Sequence, residues 1–157
     1  MDFFAGLPLF HSQIKAIARL AAFQSKLRTA IIGDRFATKS FAVLKEELEQ
    51  LQAPYIAYSF NNPDFKIRSW MEGTLKEAVA ENKVVIITDC HDAFGNNDPR
   101  QLKLTEILNM NIDVITLWAS IPTSLHSQLV FTKIHNVIRG PVTEKVEREI
   151  KARFGLN

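Results

Sequence analysis

The run Val84-Val-Ile-Ile-Thr88 constrains this chain more than any other stretch. Its residues are all β-branched and show no polar alternation, as expected of a strand covered on both faces. Four further short apolar runs share the character: Thr29–Gly33, Tyr55–Phe60, Ile112–Trp118 and Ile134–Ile138. Between and around them lie segments of helical period. Ser12–Lys26 carries Ile14, Ile17, Ala18, Ala21 and Ala22 on one face, with Ser12 as the N-cap. Phe41–Leu51 turns Leu44, Leu48 and Leu51 one way and Lys45, Glu46 and Glu49 another. Ile67–Glu81, Arg100–Met110 and Thr123–Phe131 follow as helices. Thr143–Phe154 closes the chain, with Val146, Ile150 and Phe154 in register and Gly155 as the stop.

Strands that alternate with helices predict an α/β fold built on a single doubly wound, mostly parallel five-stranded sheet. No repeat, linker or low-complexity segment interrupts the pattern, so residues 1–157 read as one domain. Ligands of such sheets bind beyond the carboxyl ends of the strands. The residues just after each strand are therefore the candidates for function.

Composition excludes several classes. A net charge of +2 gives no nucleic-acid footprint. No run approaches the length of a membrane span, and the apolar N-terminus lacks the basic start of a signal peptide. Cys90 is the single cysteine, so no internal disulfide forms. The expectation is a cytoplasmic protein with no membrane partner.

After the first strand stands Gly33-Asp34-Arg35-Phe36-Ala37-Thr38-Lys39-Ser40, leading into a helix. A phosphate-binding loop has the form G-x-x-x-x-G-K-[ST] between strand and helix. Gly33, Lys39 and Ser40 match it, while Thr38 replaces the second glycine. Backbone N–H groups from Gly33 and Asp34 through Phe41 would cradle phosphate oxygens at the helix N-terminus. Lys39 would meet the terminal phosphates, and Ser40 would offer its hydroxyl to a magnesium ion. Thr38 is expected to resist the loop conformation and the close approach that glycine allows.

The strongest strand ends in Asp89, a second feature of the same chemistry, where a carboxylate holds magnesium beside the phosphates. The residue that would activate a water molecule is normally a glutamate directly after it. This chain has Cys90 there, with His91 and Asp92 as displaced substitutes. Ser120, at the end of the fourth strand, is the candidate for sensing the terminal phosphate, with Thr116 as the alternative. The four histidines, His11, His91, His126 and His135, show no metal-ligand spacing, and His135 reads as a core or interface residue. Arg100 and Arg139 read as solvated or as arginines reaching into a neighbouring subunit.

From Leu9 to about Leu125 the chain resembles the central AAA+ domain of sigma-54-dependent transcriptional activators. Ser12-Gln-Ile-Lys-Ala-Ile-Ala-Arg-Leu-Ala-Ala22 is similar to the helix before their phosphate loop, and Ile31–Ser40 to the loop itself. Glu72-Gly-Thr-Leu75, Ile86-Ile-Thr-Asp89 and Trp118-Ala-Ser120 follow in the family's order. The resemblance implies ATP or ADP with Mg²⁺ as cofactor, an oligomeric or other protein partner, and a role in transcription regulation. Asp89 and Ser120 would be its catalytic residues, and Ser40 and Asp89 its metal ligands. The family's Gly-Ala-Phe-Thr-Gly-Ala loop is absent, and no lid or DNA-binding helix pair is legible. The implied protein is a reduced, degenerate relative with weak or absent hydrolysis. Asp89–Arg139 also looks like the DNA-pumping ATPases of the packaging and conjugation group. A non-enzymatic interaction scaffold is the further alternative.

Overall fold

The computed structural model describes residues 7–33, 37–94, 98–122 and 128–154. Five parallel strands form one sheet in the order β2-β3-β4-β1-β5: β1 Arg28–Ile32, β2 Tyr55–Ser59, β3 Val84–Thr88, β4 Val114–Trp118 and β5 Asn136–Arg139. The helices are α1 (Leu7–Ala22), α2 (Ala37–Gln50), α3 (Asp64–Trp70), α4 (Lys76–Ala80), α5 (Arg100–Leu108), α6 (Gln128–Phe131) and α7 (Glu144–Phe154). A π turn, Met71–Leu75, joins α3 to α4.

Helices cover both sides of the sheet, as the apolar strands require. Ile31, Val84, Ile86, Ile115, Leu117 and Ile138 pack with Phe10, Ile14 and Ile17 of α1 and with Leu44 and Leu48 of α2. The opposite face, with Ala30, Ile32, Val85, Ile87, Val114 and Trp118, packs against α3 and α5–α7. The helix after β1 thus lies on one face, and the helices after β2, β3, β4 and β5 lie on the other. The winding reverses at β1. In open α/β sheets that reversal opens the crevice in which ligands bind.

Several boundaries differ from the expectations. α1 begins at Leu7, so Ser12 is an exposed residue inside the helix and not its N-cap. The helical period extends back through buried Phe10, and Pro8 is tolerated because a first-turn N–H has no intrahelical acceptor. Leu51 lies past the end of α2 and is 39% exposed, unlike buried Leu44 and Leu48. β5 starts at Asn136, which leaves His135 exposed before the strand and out of the core. Of the predicted Thr123–Phe131 helix, residues 123–127 lie outside the described residues, as does Gly155.

Three chain reversals at the amino edge of the sheet share one solution. Gln24, Gln52 and Asn82 adopt left-handed backbone at φ of 58°, 56° and 56°. Around each, the following residue donates back five positions: Ser25 N–H to Leu20, Ala53 to Leu48, Lys83 to Ala78, at 3.2, 2.9 and 2.9 Å. Glycine normally takes this place because a Cβ is costly there. Gln52→Gly is therefore expected to stabilise the fold by about 0.5–1 kcal/mol, read from urea unfolding at constant m-value.

The same edge is pinned by two charged side chains. Arg28 donates to the carbonyls of Lys26, Leu108 and Met110 at 2.9, 2.7 and 2.5 Å. Buried Asp113 accepts from the Leu27 N–H at 3.0 Å. Burial raises the Asp113 pKa, against the lowering influence of the Leu27 N–H, Lys26 and Arg28. A carboxyl with a raised folded pKa binds protons more tightly when folded, so its contribution weakens as pH rises above about 4. Asp113→Asn keeps the acceptor oxygen and removes this titration. Its stability relative to the parent is expected to improve between pH 4 and pH 7, measured by urea unfolding at both.

Candidate nucleotide-phosphate site

The carboxyl edge of the sheet collects the residues that the sequence singled out. Gly33 continues the β1–β4 pairing by one residue, its N–H donating to the Trp118 carbonyl at 3.1 Å. Gly140 does the same beyond β5, donating to Ile32 at 2.8 Å. The ring of Phe10 lies across both glycines. A Cβ on Gly33 would meet it at 3.2 Å, and one on Gly140 at 2.6 Å. The bare backbone at these positions is what lets α1 reach the loop. Gly140→Ala is expected to cost about 1–3 kcal/mol by overpacking. In the double variant with Phe10→Leu the cost should fall below the sum of the singles, as measured by a double-mutant unfolding cycle.

From Gly33 the chain passes through residues 34–36, so Asp34 lies outside the described residues, and enters α2 at Ala37. Thr38 is therefore helical in its backbone, and its side chain also lies outside what is described. A helical φ/ψ is open to threonine, so α2 begins ahead of the position where the pattern has its second glycine. Lys39 is exposed and Ser40 is 1% exposed, its Oγ 3.7 Å from where a Gly33 Cβ would stand. The two ends of the loop thus meet. Phe41 is half-buried, with the Lys45 ammonium 4.7 Å above its ring centroid. Its side chain faces core and lysine, and as the fifth residue of α2 it has its N–H directed to the helix's own first carbonyl.

Asp89 closes β3 with left-handed backbone, φ 55° and ψ 37°, and starts a 3₁₀ turn over Cys90–Ala93. Non-glycine residues in that region are uncommon, and such strain gathers at functional sites. Its Oδ2 accepts from the Ser59 hydroxyl at 2.5 Å and the Thr88 hydroxyl at 3.2 Å. Its other carboxylate oxygen has no donor among the described residues. A carboxylate with one oxygen held and one open, facing a serine hydroxyl donor set, suits a hard cation such as magnesium. Ser59 was missed in the sequence. The available signal was a hydroxyl ending a strand, the same signal that picked out Ser120.

The turn after Asp89 disposes of the substitutes for glutamate. Cys90 is fully buried, its thiol donating to the Ile87 carbonyl at 3.4 Å. Burial pushes its pKa well above the ordinary value, so neither a thiolate nor a water-activating group stands there. His91 Nδ1 accepts the Ala119 N–H at 3.2 Å, and Nε2 lies 3.4 Å from Asp92 Oδ1. The Nδ1 bond makes His91 a tie between the ends of β3 and β4. Asp89, His91 and Asp92 bring ligand atoms within 4.8 Å of one another. With Nδ1 held by Ala119, we read them as a turn tied to the end of β4.

At the end of β4, Ser120 is half-buried just beyond Ala119. Thr116 is not an alternative to it. Its hydroxyl donates to the Thr29 carbonyl at 2.8 Å and accepts the Trp118 indole N–H at 2.8 Å, inside the core. Arg139 pairs with Glu147 of α7. Arg100 is bound within its own chain to Asp98, Phe60 and Asp92, which corrects both its solvated and its inter-subunit readings.

Lys39 and Ser40 thus follow β1, Ser120 follows β4, and Asp89 follows β3, on three adjacent strands of the sheet. No model of a known protein family matches the chain, and no curated protein is significantly similar to it. Among the described residues, no helix is long and apolar enough to cross a membrane.

Proposed function

We propose that this is a degenerate P-loop, AAA+-like nucleotide-binding domain that works as a regulatory or assembly module with weak or absent ATP hydrolysis. One observation carries the reading. The loop that matches the phosphate-binding pattern follows the one strand at which the winding of the sheet reverses, and its Lys39 and Ser40 sit in the first turn of α2. The dipole of α2 and the N–H groups of a helix N-terminus favour a phosphate there. Gly33 and the N–H groups that open α2 would hold it. Ser40 and Asp89 are the oxygen ligands for its magnesium, which would bridge and neutralise phosphate oxygens. Ser120 stands between them for the terminal phosphate.

The buried thiol at Cys90, where a water-activating glutamate would stand, supports slow turnover. Leu9 and Leu20 on α1 and Phe23 just past its end, at 66%, 45% and 80% exposure, support a protein partner or self-assembly. A cytoplasmic location goes with the reading and agrees with a lone free thiol. Regulation through the sigma-54 factor would need the contacting loop that the sequence lacks, so the proposal stops at nucleotide-dependent regulation.

Calorimetry with ATP and ADP, with and without magnesium, tests this. Lys39→Ala is expected to weaken binding at least about tenfold, consistent with loss of one desolvated charge contact. Turnover should stay below about 0.1 s⁻¹, two decades under a typical enzyme. Absence of binding by either nucleotide at millimolar concentration would overturn the proposal in favour of an interaction scaffold.

A further inference from the structure

Arg100 matches no position of the phosphate-loop pattern, yet it fastens the loops around Asp89. It opens α5 and is 15% exposed, and its partner Asp98 is 12% exposed. Its guanidinium donates to the Phe60 carbonyl just beyond β2 and, at 2.8 Å, to the Asp92 carbonyl beyond β3. Nε donates to the two Asp98 oxygens at 3.0 and 3.1 Å, and Nη2 to Oδ2 at 2.5 Å. Burial works against the Asp98 charge, but the hydrogen bonds and charge of Arg100 outweigh it and hold the carboxyl below its ordinary range. The fork is thereby oriented by an ionised partner.

Both gripped carbonyls lie past the ends of their strands, where the ladder supplies no donors. The turn after Asp89 is anchored by buried Cys90 and Ala93 and by the Ala119–His91 hydrogen bond, and Arg100 adds a hold on the Asp92 carbonyl. Asp92 N–H reaches the Asp89 carbonyl at 3.0 Å and Phe94 N–H the His91 carbonyl at 3.3 Å, in a single 3₁₀ turn. Phe60 also directly follows Ser59, whose hydroxyl holds Asp89 Oδ2. Arg100 therefore grips the chain on both sides of the Ser59–Asp89 hydrogen bond. An ammonium would not replace it, because only a guanidinium offers five donors in one rigid plane.

We propose that Arg100 is a positioning residue for Asp89, fixing where that carboxylate stands to receive a phosphate-bound magnesium ion. The magnesium part rests on the nucleotide reading above; the positioning part does not. Two variants test it: Arg100→Lys, and Arg100→Gln combined with Asp98→Asn, which leaves no buried charge unpaired. In native-state hydrogen exchange the N–H groups of Asp92 and Ala119 should exchange at least about tenfold faster in both variants. Val85 N–H, which donates to Asp113 at 2.9 Å within the sheet, should change less than about twofold. In calorimetry, affinity for ATP alone should stay within about twofold, while the gain that magnesium adds should fall about tenfold, as in Asp89→Asn. Unchanged exchange at Asp92 and Ala119, or equal acceleration at Val85, overturns the positioning role. Loss of affinity that is the same with and without magnesium overturns the link to the metal. If the parent chain binds no ATP, the nucleotide reading fails with the magnesium part, and hydrogen exchange alone decides the positioning part.

Discussion

The ladder between β1 and β4 is the constraint on which the rest depends. Five register pairs, from Arg28 with Val114 to Ile32 with Trp118, join segments more than eighty residues apart in sequence. β1 also pairs with β5 from Thr29 with Asn136 to Ile32 with Arg139, so its buried backbone is satisfied on both sides. That pairing forces the chain after β1 to travel over one face to the far edge of the sheet before returning over the other. The crevice at β1 is therefore a product of topology. Its glycine and lysine gain their meaning from standing at that point.

The two edges of the sheet are built for different ends. At the amino edge, Arg28 and Asp113 bind backbone groups, and left-handed Gln24, Gln52 and Asn82 turn the helices into the strands. These contacts are local and closed. The carboxyl edge is where the chain accepts a left-handed aspartate, a glycine pair under a phenyl ring and a buried serine. Left-handed backbone occurs at both edges, but at the carboxyl edge it falls on a carboxylate, Asp89, that the sequence singles out for chemistry.

Much of this was legible in the residues. Val84–Thr88 spans the observed strand end to end because five β-branched residues admit little else. The parallel sheet followed from the alternation, and Lys39, Ser40, Asp89 and Ser120 followed from looking past strand ends. What escaped had physical reasons. α1 hid its start because a first-turn proline reads as a breaker, and helix ends at Gln24, Gln52 and Asn82 carried no glycine to announce them. Ser59 escaped, and Arg100 was misread, because Asp89 and the Phe60 carbonyl that they bind lie 30 and 40 residues away, and hydrogen bonds across loops leave no period in sequence. Thr116 and Ser120 look alike on paper. Only strand geometry separates a hydroxyl satisfied in the core from one at the edge.

Cys90 carries a last consequence. Its sulfur sits under the turn that Asp89 begins, shielded from solvent and kept protonated by burial. A thiol reagent therefore reaches it only when that turn swings open, so the rate of alkylation counts openings rather than measuring reactivity. Alkylation is thus a clock of local opening at the acidic strand end, with no second thiol to blur its reading. Anything that tightens the turn, whether a bound cation or a docked neighbour, should slow that clock without touching the sulfur itself.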